Sequence, residues 1–262
     1  MSDATTLDPT TREALAELLL ALADDEFVLG FWDSEWTGIA PILEEDVAMS
    51  SVSQDEIGHA KAWYELLAGL TDDDADRIAF GREPAGYRHA ALMNHARIDW
   101  AFTVARRYLY EHADAARLES LARSTYAPVA ELAAKMRREE TYHLLHFDLW
   151  LRRLADAGGE ARERLVSSLE RLWPDAQAVF APLAGEVILV STGILPDDLE
   201  SLRRRWLERV VPVLESLDLP VPAQAERAAP PAGDGRTRRS DDFAWLHSEF
   251  TMVARSDQGA TW

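Results

Sequence analysis

The stretch Ser53–Trp63, SQDEIGHAKAW, lies in a segment whose apolar residues recur at the spacing of an α-helix. Steps of three and four residues trace one helix face, which comprises Ile42, Met49, Val52, Glu56, His59, Trp63 and Leu66. Glu56 and His59 therefore occupy positions where a helix packed in a core normally carries apolar side chains. Burying a carboxylate without a partner is unfavourable, so this face predicts a partner for both groups.

A second Glu-x-x-His motif, Glu140–His143 (ETYH), lies on the apolar face of another helical segment. That face comprises Val129, Ala133, Met136, Glu140, His143, Phe147 and Trp150. Residues at positions i and i+3 share one side of a helix, so both side chains of a motif can reach a common point. One such motif arises easily by chance, but two on apolar faces indicate a shared buried site.

Helical periodicity covers most of the chain and alternating strand patterns are scarce, so we predict an all-α fold. Four long helices are expected, over Thr10–Trp36, Pro41–Leu67, Asn94–Ala122, and from the turn at residues 124–128 to Ala155. The spacing of Thr10 and Glu13 predicts a capping box at the start of the first helix. Two antiparallel hairpins joined by a long acidic crossover, residues 72–89, are the topology of a ferritin-like four-helix bundle.

The C-terminal part is predicted to add helices to the bundle and then a separate tail. Further helices are expected over Glu160–Trp173 and Asp197–Leu217. We expect residues 1–218 to form the bundle domain and residues 219–240, rich in Pro, Gly, Ala and charge, to form a flexible linker. Residues 241–262 are expected to form an amphipathic C-terminal segment with few contacts to the bundle.

The first and third long helices each carry one further Glu on the apolar side, Glu26 and Glu111. At about 1.5 Å per residue, the Glu residues of each hairpin come level to within about 3 Å. Four carboxylates and two neutral imidazoles balance the charge of two divalent cations. We therefore predict a metal site formed by Glu26, Glu56, His59, Glu111, Glu140 and His143. No catalytic residue beyond these ligands and no site for an organic cofactor are predicted.

Several alternatives for individual positions stay open at the level of the sequence. Asp24 or Asp25 can replace Glu26 if the first helix is rotated, and His146 can compete with His143. These carboxylates and imidazoles can also face water or form buried ion pairs instead of binding a metal. Asp55 and Glu139, each preceding a predicted ligand, are candidates to orient the opposing histidines, although a solvated helix surface explains them equally well.

Composition excludes several classes of protein. The net charge of −19 at pH 7 is opposite to that of a nucleic-acid-binding surface, so no nucleic-acid partner is expected. The chain has no cysteine, which excludes disulfides, thiolate metal ligands and a thiol nucleophile. No membrane span and no signal-peptide pattern are recognisable, so we expect a cytoplasmic protein without a membrane partner.

Three stretches resemble the A and C subunits of phenylacetyl-CoA epoxidase. These are DEFVLGFWDSEW at residues 25–36, QDEIGHAKAW at residues 54–63 and STYAPVAELAAKMRREETYH at residues 124–143. That bacterial mono-oxygenase epoxidises the aromatic ring of phenylacetyl-CoA during aerobic phenylacetate breakdown. The resemblance extends over residues 10–218, and more weakly over the tail that ends in Trp262.

The resemblance implies a function for the predicted metal ligands. In this family the A subunit holds a di-iron site through a Glu, a Glu-x-x-His, a Glu or Asp, and a second Glu-x-x-His. Those positions correspond here to Glu26, Glu56, His59, Glu111, Glu140 and His143. The C subunit has the same fold, typically lacks several ligands and serves as a structural partner. Length and tail resemble the C subunit, whereas the complete ligand set resembles the A subunit.

Three functions follow as hypotheses. The first is a mono-oxygenase subunit with two iron ions, although manganese suits the same ligands. The resemblance then implies an oligomer with a flavin/iron–sulfur reductase, a small coupling subunit, and a related chain of the A/C type, acting on an aromatic acyl-CoA and O₂. The second is a metal-free structural partner in the same complex. The third, ferritin-like iron handling, is less favoured because it assigns no role to the additional helices and the tail.

Overall fold

A computed structural model describes residues 7–223, 227, 229 and 231–256 of the chain. These residues form helices and connecting loops without a β-strand, which confirms the all-α prediction. The helices are α1 (Pro9–Ser34), α2 (Leu43–Thr71), α3 (Ala75–Phe80), α4 (Trp100–Leu121), α5 (Ala127–Ala157), α6 (Gly159–Ala176), α7 (Glu186–Thr192), α8 (Leu199–Ser216) and α9 (Asp241–Ser256). Short 3₁₀ turns lie at Pro84–Gly86, Ala91–Asn94 and Gln177–Phe180.

Four long helices form a ferritin-like bundle of two hairpins, as predicted. Helix α1 packs along α2, and α4 packs along α5, while residues 72–99 cross from one hairpin to the other. Helices α6 and α8 also pack on α4, so that nearly every residue of α4 is buried. The polar residues of α4 must therefore find partners inside the protein.

Two helix starts differ from the predicted ones because aspartates cap them. Asp8, not Thr10, is the N-cap of α1: its carboxylate accepts from the backbone N–H groups of Thr10 and Thr11 at 3.0 and 3.1 Å. Helix α4 begins at Trp100 instead of Asn94, because Asp99 accepts from the N–H of Phe102 at 2.9 Å. Helices α3 and α7 are additional to the predicted ones, and both are too short to show a clear periodicity.

The C-terminal residues contact the bundle extensively, contrary to the prediction of few contacts. Arg236 is buried and pairs with Asp25 at 3.0 Å, and α9 buries Phe243, Leu246 and Phe250. A Pro/Gly-rich composition predicts irregular backbone, but it does not reveal that an arginine within it meets a buried carboxylate. The division at residues 218 and 240 stays a prediction, and residues 224–226, 228, 230 and 257–262 lie outside the described part.

The described helices include none that combines the length and the apolar character needed to cross a membrane.

Candidate metal centre

The six predicted ligands converge between α1, α2, α4 and α5 in two overlapping groups. The first subsite comprises Glu26, Glu56, His59 and Glu140, and the second subsite comprises Glu56, Glu111, Glu140 and His143. Within each group, one ligand atom from every residue lies within 4.8 Å of all the others. All six side chains are buried. The sequence predicts that these side chains lie at the same height along the four helices, and the structure brings them together in this way.

Both histidines direct Nδ1 towards the carboxylates and Nε2 away from them. Nδ1 of His59 lies 3.2 Å from Oε1 of Glu140, and Nδ1 of His143 lies 3.2 Å from the other oxygen of the same carboxylate. Nε2 of His59 is hydrogen-bonded to Glu139 at 2.8 Å, and Nε2 of His143 to Asp55 at 3.3 Å. Asp55 and Glu139 thus contact the opposing histidines, and their role in orienting them stays a prediction. Such partners fix the ring orientation of a metal-binding histidine.

Helix α1 approaches α2 closely at the height of Glu56. A Cβ atom on Gly30 would lie 2.9 Å from Cγ1 of Ile57 and 3.1 Å from Cβ of Glu56. Glycine is therefore needed for this approach, which brings Glu26 and Glu56 into one subsite. The hydroxyl of Tyr110 donates to Oε1 of Glu26 at 2.7 Å and helps to hold that carboxylate in place.

The alternative ligands have other partners. Asp24 accepts from Arg82 at 2.9 Å, and Asp25 accepts from Arg117 at 2.6 Å. Nε2 of His146 lies 2.9 Å from a carboxylate oxygen of Glu45. None of these three residues belongs to the two groups that converge in the described part of the bundle, whereas Glu26 and His143 do.

The carboxylates of the cluster differ in their affinity for protons. Burial, and then the charge of Glu56, raises the pKa of Glu26 well above its ordinary value. Burial likewise raises the pKa of Glu111 well above its ordinary value, although Arg107 opposes this shift. Burial acts to raise the pKa of Glu56 as well, but the charge of Arg107 and the contacts with Glu26 and His143 together outweigh it and lower this pKa to about 2. Without a cation, Glu26 and Glu111 thus favour their protonated forms, whereas Glu56 favours its charged form.

The histidine of the first subsite favours its charged form. Burial acts to lower the pKa of His59, but Glu140, Glu56 and Glu139 together outweigh burial and raise this pKa to about 9. Burial also acts to lower the pKa of His143, and its contacts with Asp55 and Glu140 raise that pKa far above the ordinary value. A metal ion binds the neutral imidazole, so metal binding would release these protons.

The chemistry of the donor atoms fits a first-row divalent metal. Carboxylate oxygen and imidazole nitrogen are the ligand types that iron and manganese accept. Oε2 of Glu26 and Oε2 of Glu56 are buried and have no hydrogen-bond partner. Buried polar atoms are rarely left without a partner, and a cation between the carboxylates would satisfy these oxygens.

Arg107 is the residue of this site that the sequence did not predict. Its side chain is fully buried, and Nη2 lies 2.6 Å from Oε1 of Glu56 and 2.7 Å from Oε1 of Glu111. Nε of the same guanidinium lies 3.4 Å from Oδ2 of Asp33. The available signal was its spacing, since Arg107 precedes Glu111 by four residues and shares its helix face. The alternative of buried ion pairs is thus realised for part of the cluster.

A cleft of about 200 Å³ opens between α2 and α5 beside the first subsite. Its lining includes Asp55, His59, Lys135, Met136 and Glu139. The centre is therefore approached from the side of His59.

Comparison with known proteins identifies relatives of the whole chain. A family model described as "Phenylacetic acid catabolic protein" matches residues 1–262. The chain is 28% identical over 250 residues to the C subunit of 1,2-phenylacetyl-CoA epoxidase from Escherichia coli (strain K12), a match that covers 95% of this chain and 99% of that protein. It is 24% identical over 218 residues to the A subunit of the same enzyme from the same organism, a match that covers 80% of this chain and 69% of that protein.

Proposed function

The chain belongs to the phenylacetic acid catabolic protein family, and we propose that it is a subunit of a 1,2-phenylacetyl-CoA epoxidase that binds iron in its bundle core. The observation that carries this proposal is the convergence of four buried Glu and two buried His in overlapping groups. The relatives supply the reaction, which is epoxidation of a phenylacetyl-CoA ring.

Bound iron would supply the electron transfer and oxygen chemistry that protein side chains lack. The protein's own contribution is positioning and shielding. Glu56 and Glu140 belong to both subsites and hold the centre together, while Asp55 and Glu139 fix the orientation of the two imidazole rings. Burial of all six side chains keeps bulk water from the ligands, which strengthens every electrostatic interaction there.

The partners in this proposal are those of a multicomponent oxygenase. They comprise a related chain of the A/C type, a small coupling subunit, a flavin/iron–sulfur reductase, O₂ and an aromatic acyl-CoA. Both relatives are named as subunits of one enzyme, which supports assembly with further chains.

A second candidate function is that of a structural partner within the same epoxidase. Two observations favour it. The match to the C subunit spans 99% of that protein, whereas the match to the A subunit spans 69%. Arg107 also places a permanent positive charge against two of the proposed ligands. In this role the chain would hold and orient a partner of the A type, and its own carboxylates would not take part in the reaction.

Reconstitution of the complex distinguishes the two roles. The chain is combined with its partner subunits and reductase, and NADPH-dependent consumption of phenylacetyl-CoA is measured. We expect Glu56→Ala to abolish turnover while the variant still assembles, because Glu56 belongs to both subsites. Glu65→Ala, an exposed change on the same helix, is the matched control and should keep full activity. Full activity of Glu56→Ala would instead identify the chain as a structural partner.

A further inference from the structure

Arg107 bridges two carboxylates of the second subsite through a single nitrogen atom. Nη2 contacts Oε1 of Glu56 on α2 and Oε1 of Glu111 on α4. We propose that this guanidinium takes the place of the second cation, so that the centre binds one divalent metal ion, in the first subsite, and not two. The inference rests on the metal site of the proposed function and specifies its stoichiometry.

The guanidinium is held at this position from several sides. The Arg107 side chain is fully buried, its Cζ lies 5.0 Å from the centroid of the Phe147 ring, and its Nε faces Asp33. An arginine remains charged in proteins and carries only donors, so it can neither ligate a metal nor leave by losing a proton. Moving it to solvent would break its buried ion pairs, which is strongly unfavourable.

A metal ion in the second subsite would compete with Arg107 for the same oxygens. Divalent metals bind carboxylate oxygens at about 2.0–2.2 Å. Nη2 of Arg107 already stands 2.6 Å from Oε1 of Glu56, the oxygen that also lies 3.3 Å from Nδ1 of His143, and 2.7 Å from Oε1 of Glu111. The positive guanidinium would also repel a second cation at those oxygens, because the protein interior screens charges poorly.

The first subsite is free of this competition. Among the described residues, the ion pairs of Arg107 are made with Asp33, Glu56 and Glu111. Oε2 of Glu26 and Oε2 of Glu56 have no hydrogen-bond partner and, among the described residues, no ion pair with an arginine. Glu111 in the second subsite also has oxygens without a hydrogen bond, but its Oε1 lies 2.7 Å from Nη2 of Arg107. The cleft between α2 and α5 reaches His59, which is the imidazole of this subsite. A cation can therefore enter and find a carboxylate from three helices together with one imidazole.

Metal stoichiometry tests the inference without any measurement of activity. The purified full-length chain is freed of metal with a chelator, titrated anaerobically with Fe(II) or Mn(II), and its metal content is measured after desalting. We expect the wild-type chain to saturate at one ion and Arg107→Met at two ions per chain. Arg107→Lys, which keeps a positive charge, should remain at one ion.

Arg106→Met is the matched control for loss of a buried charge. Arg106 is equally buried on α4, and it pairs with Asp33 at 3.6 Å and donates to the carbonyl of His95 at 2.8 Å. Its variant should bind one ion, like the wild-type chain. Two ions in Arg106→Met would show that the second ion binds because the core is loosened, and would overturn the role of Arg107.

Two further variants locate the bound ion even if Arg107→Met does not fold. Glu26→Gln removes a ligand found only in the first subsite, and Glu111→Gln removes a ligand found only in the second. We expect Glu26→Gln to lose the ion and Glu111→Gln to retain it. The reverse pattern, or two ions in the wild-type chain, would overturn the inference while leaving the proposed metal site intact. No bound metal in the wild-type chain would overturn the metal site itself.

Discussion

Asp25 and Glu26 are neighbours in sequence, but their carboxylates enter different environments. Asp25 is paired with Arg117 at 2.6 Å and Arg236 at 3.0 Å, and it accepts from the backbone N–H of Ala90 at 2.7 Å. Glu26 instead belongs to the first subsite. Successive helical residues point in directions about 100° apart, so adjacent carboxylates can serve a structural ion pair and a metal site separately.

The ion pairs of Asp25 predict a dependence of stability on pH. Burial acts to raise the pKa of Asp25, but the charges of Arg236 and Arg117 outweigh it and lower this pKa below 3.8. A carboxyl with a lowered pKa in the folded state contributes stability above its unfolded pKa and loses it as the pH falls through the folded pKa. Denaturant unfolding should therefore show a free energy of unfolding that decreases as the pH falls below 3.8.

Asp25→Asn tests this assignment. The substitution leaves two buried arginines without their shared charge, so we expect a loss of about 3–5 kcal/mol at neutral pH. The difference from the wild-type chain should shrink at acid pH, where wild-type Asp25 also becomes neutral. Asp76→Asn, at an exposed aspartate, is the control and should change little. A difference that is constant with pH would contradict the role of the Asp25 charge.

At the residue level, the sequence predicted the six converging side chains but not Arg107. The convergence of these side chains follows from helical periodicity and from their equal height along antiparallel helices. Both features can be derived from residue spacing in the sequence. An arginine ordinarily extends its head group to water, so the spacing of Arg107 and Glu111 did not by itself indicate that Arg107 is buried. It is buried because its side chain points into the bundle, towards Asp33 on α1, Glu56 on α2 and Phe147 on α5, and no local pattern within α4 records those partners.

At the scale of the helices, the contact of α1 with α2 at Gly30 sets the geometry of the first subsite. A methyl group at this position would press on Ile57 and on the Cβ of Glu56. We expect Gly30→Ala to destabilise the protein by about 1–3 kcal/mol, because a packed core resists added volume. The variant should also bind metal more weakly, because the added methyl group would displace α2 and move Glu56 and His59 away from Glu26.

Gly58→Ala is the matched control for Gly30→Ala. Gly58 lies on the exposed side of α2, and a Cβ atom there meets nothing within 4 Å. This variant should gain about 0.5–1 kcal/mol, because alanine favours the helix interior over glycine. Thermal unfolding and metal titration of the two variants check both expectations. Equal metal affinity in Gly30→Ala and the wild-type chain would contradict the positioning role of this contact.

The four long helices were predictable because each carries several turns of consistent periodicity. Their ends were less predictable, since Asp8 and Asp99 fix the starts through only one or two hydrogen bonds between side chain and backbone. The six-residue helix α3 begins at a similar cap, Asp74, inside the acidic crossover. A helix that short has too few residues to reveal a buried face.

At the scale of the whole molecule, the C-terminal residues contact both the crossover and α1 and so link these two segments. The backbone N–H of Ala91 donates to the carbonyl of Gly235 at 2.8 Å, and Arg236 reaches Asp25 on α1. In α9, Phe250 packs against Phe27 and Phe31 with ring centroids 5.1 and 5.0 Å apart. The tail therefore contributes to the same core as the bundle helices.

We expect Phe250→Ala to lower the free energy of unfolding by about 3 kcal/mol, because it removes a buried aromatic ring from this core. Met252→Ala, two residues further along α9 at an exposed position, is the control and should be nearly neutral. Thermal unfolding of both variants checks the expectation. A melting temperature of Phe250→Ala equal to that of the wild-type chain would show that α9 does not stabilise the bundle in solution.

The central claim is that the buried Glu and His residues bind a metal ion, and the metal content of Glu140→Ala tests it most directly. Glu140 belongs to both subsites, so its loss should weaken metal binding by more than about tenfold wherever the ion lies. The wild-type chain, Glu140→Ala and Glu131→Ala, an exposed change on the same helix, are incubated with Fe(II) without oxygen, desalted and analysed. We predict bound iron in the wild-type chain and in Glu131→Ala, and its loss from Glu140→Ala with helix content retained. Equal iron in all three proteins, or none in the wild-type chain, would contradict the claim.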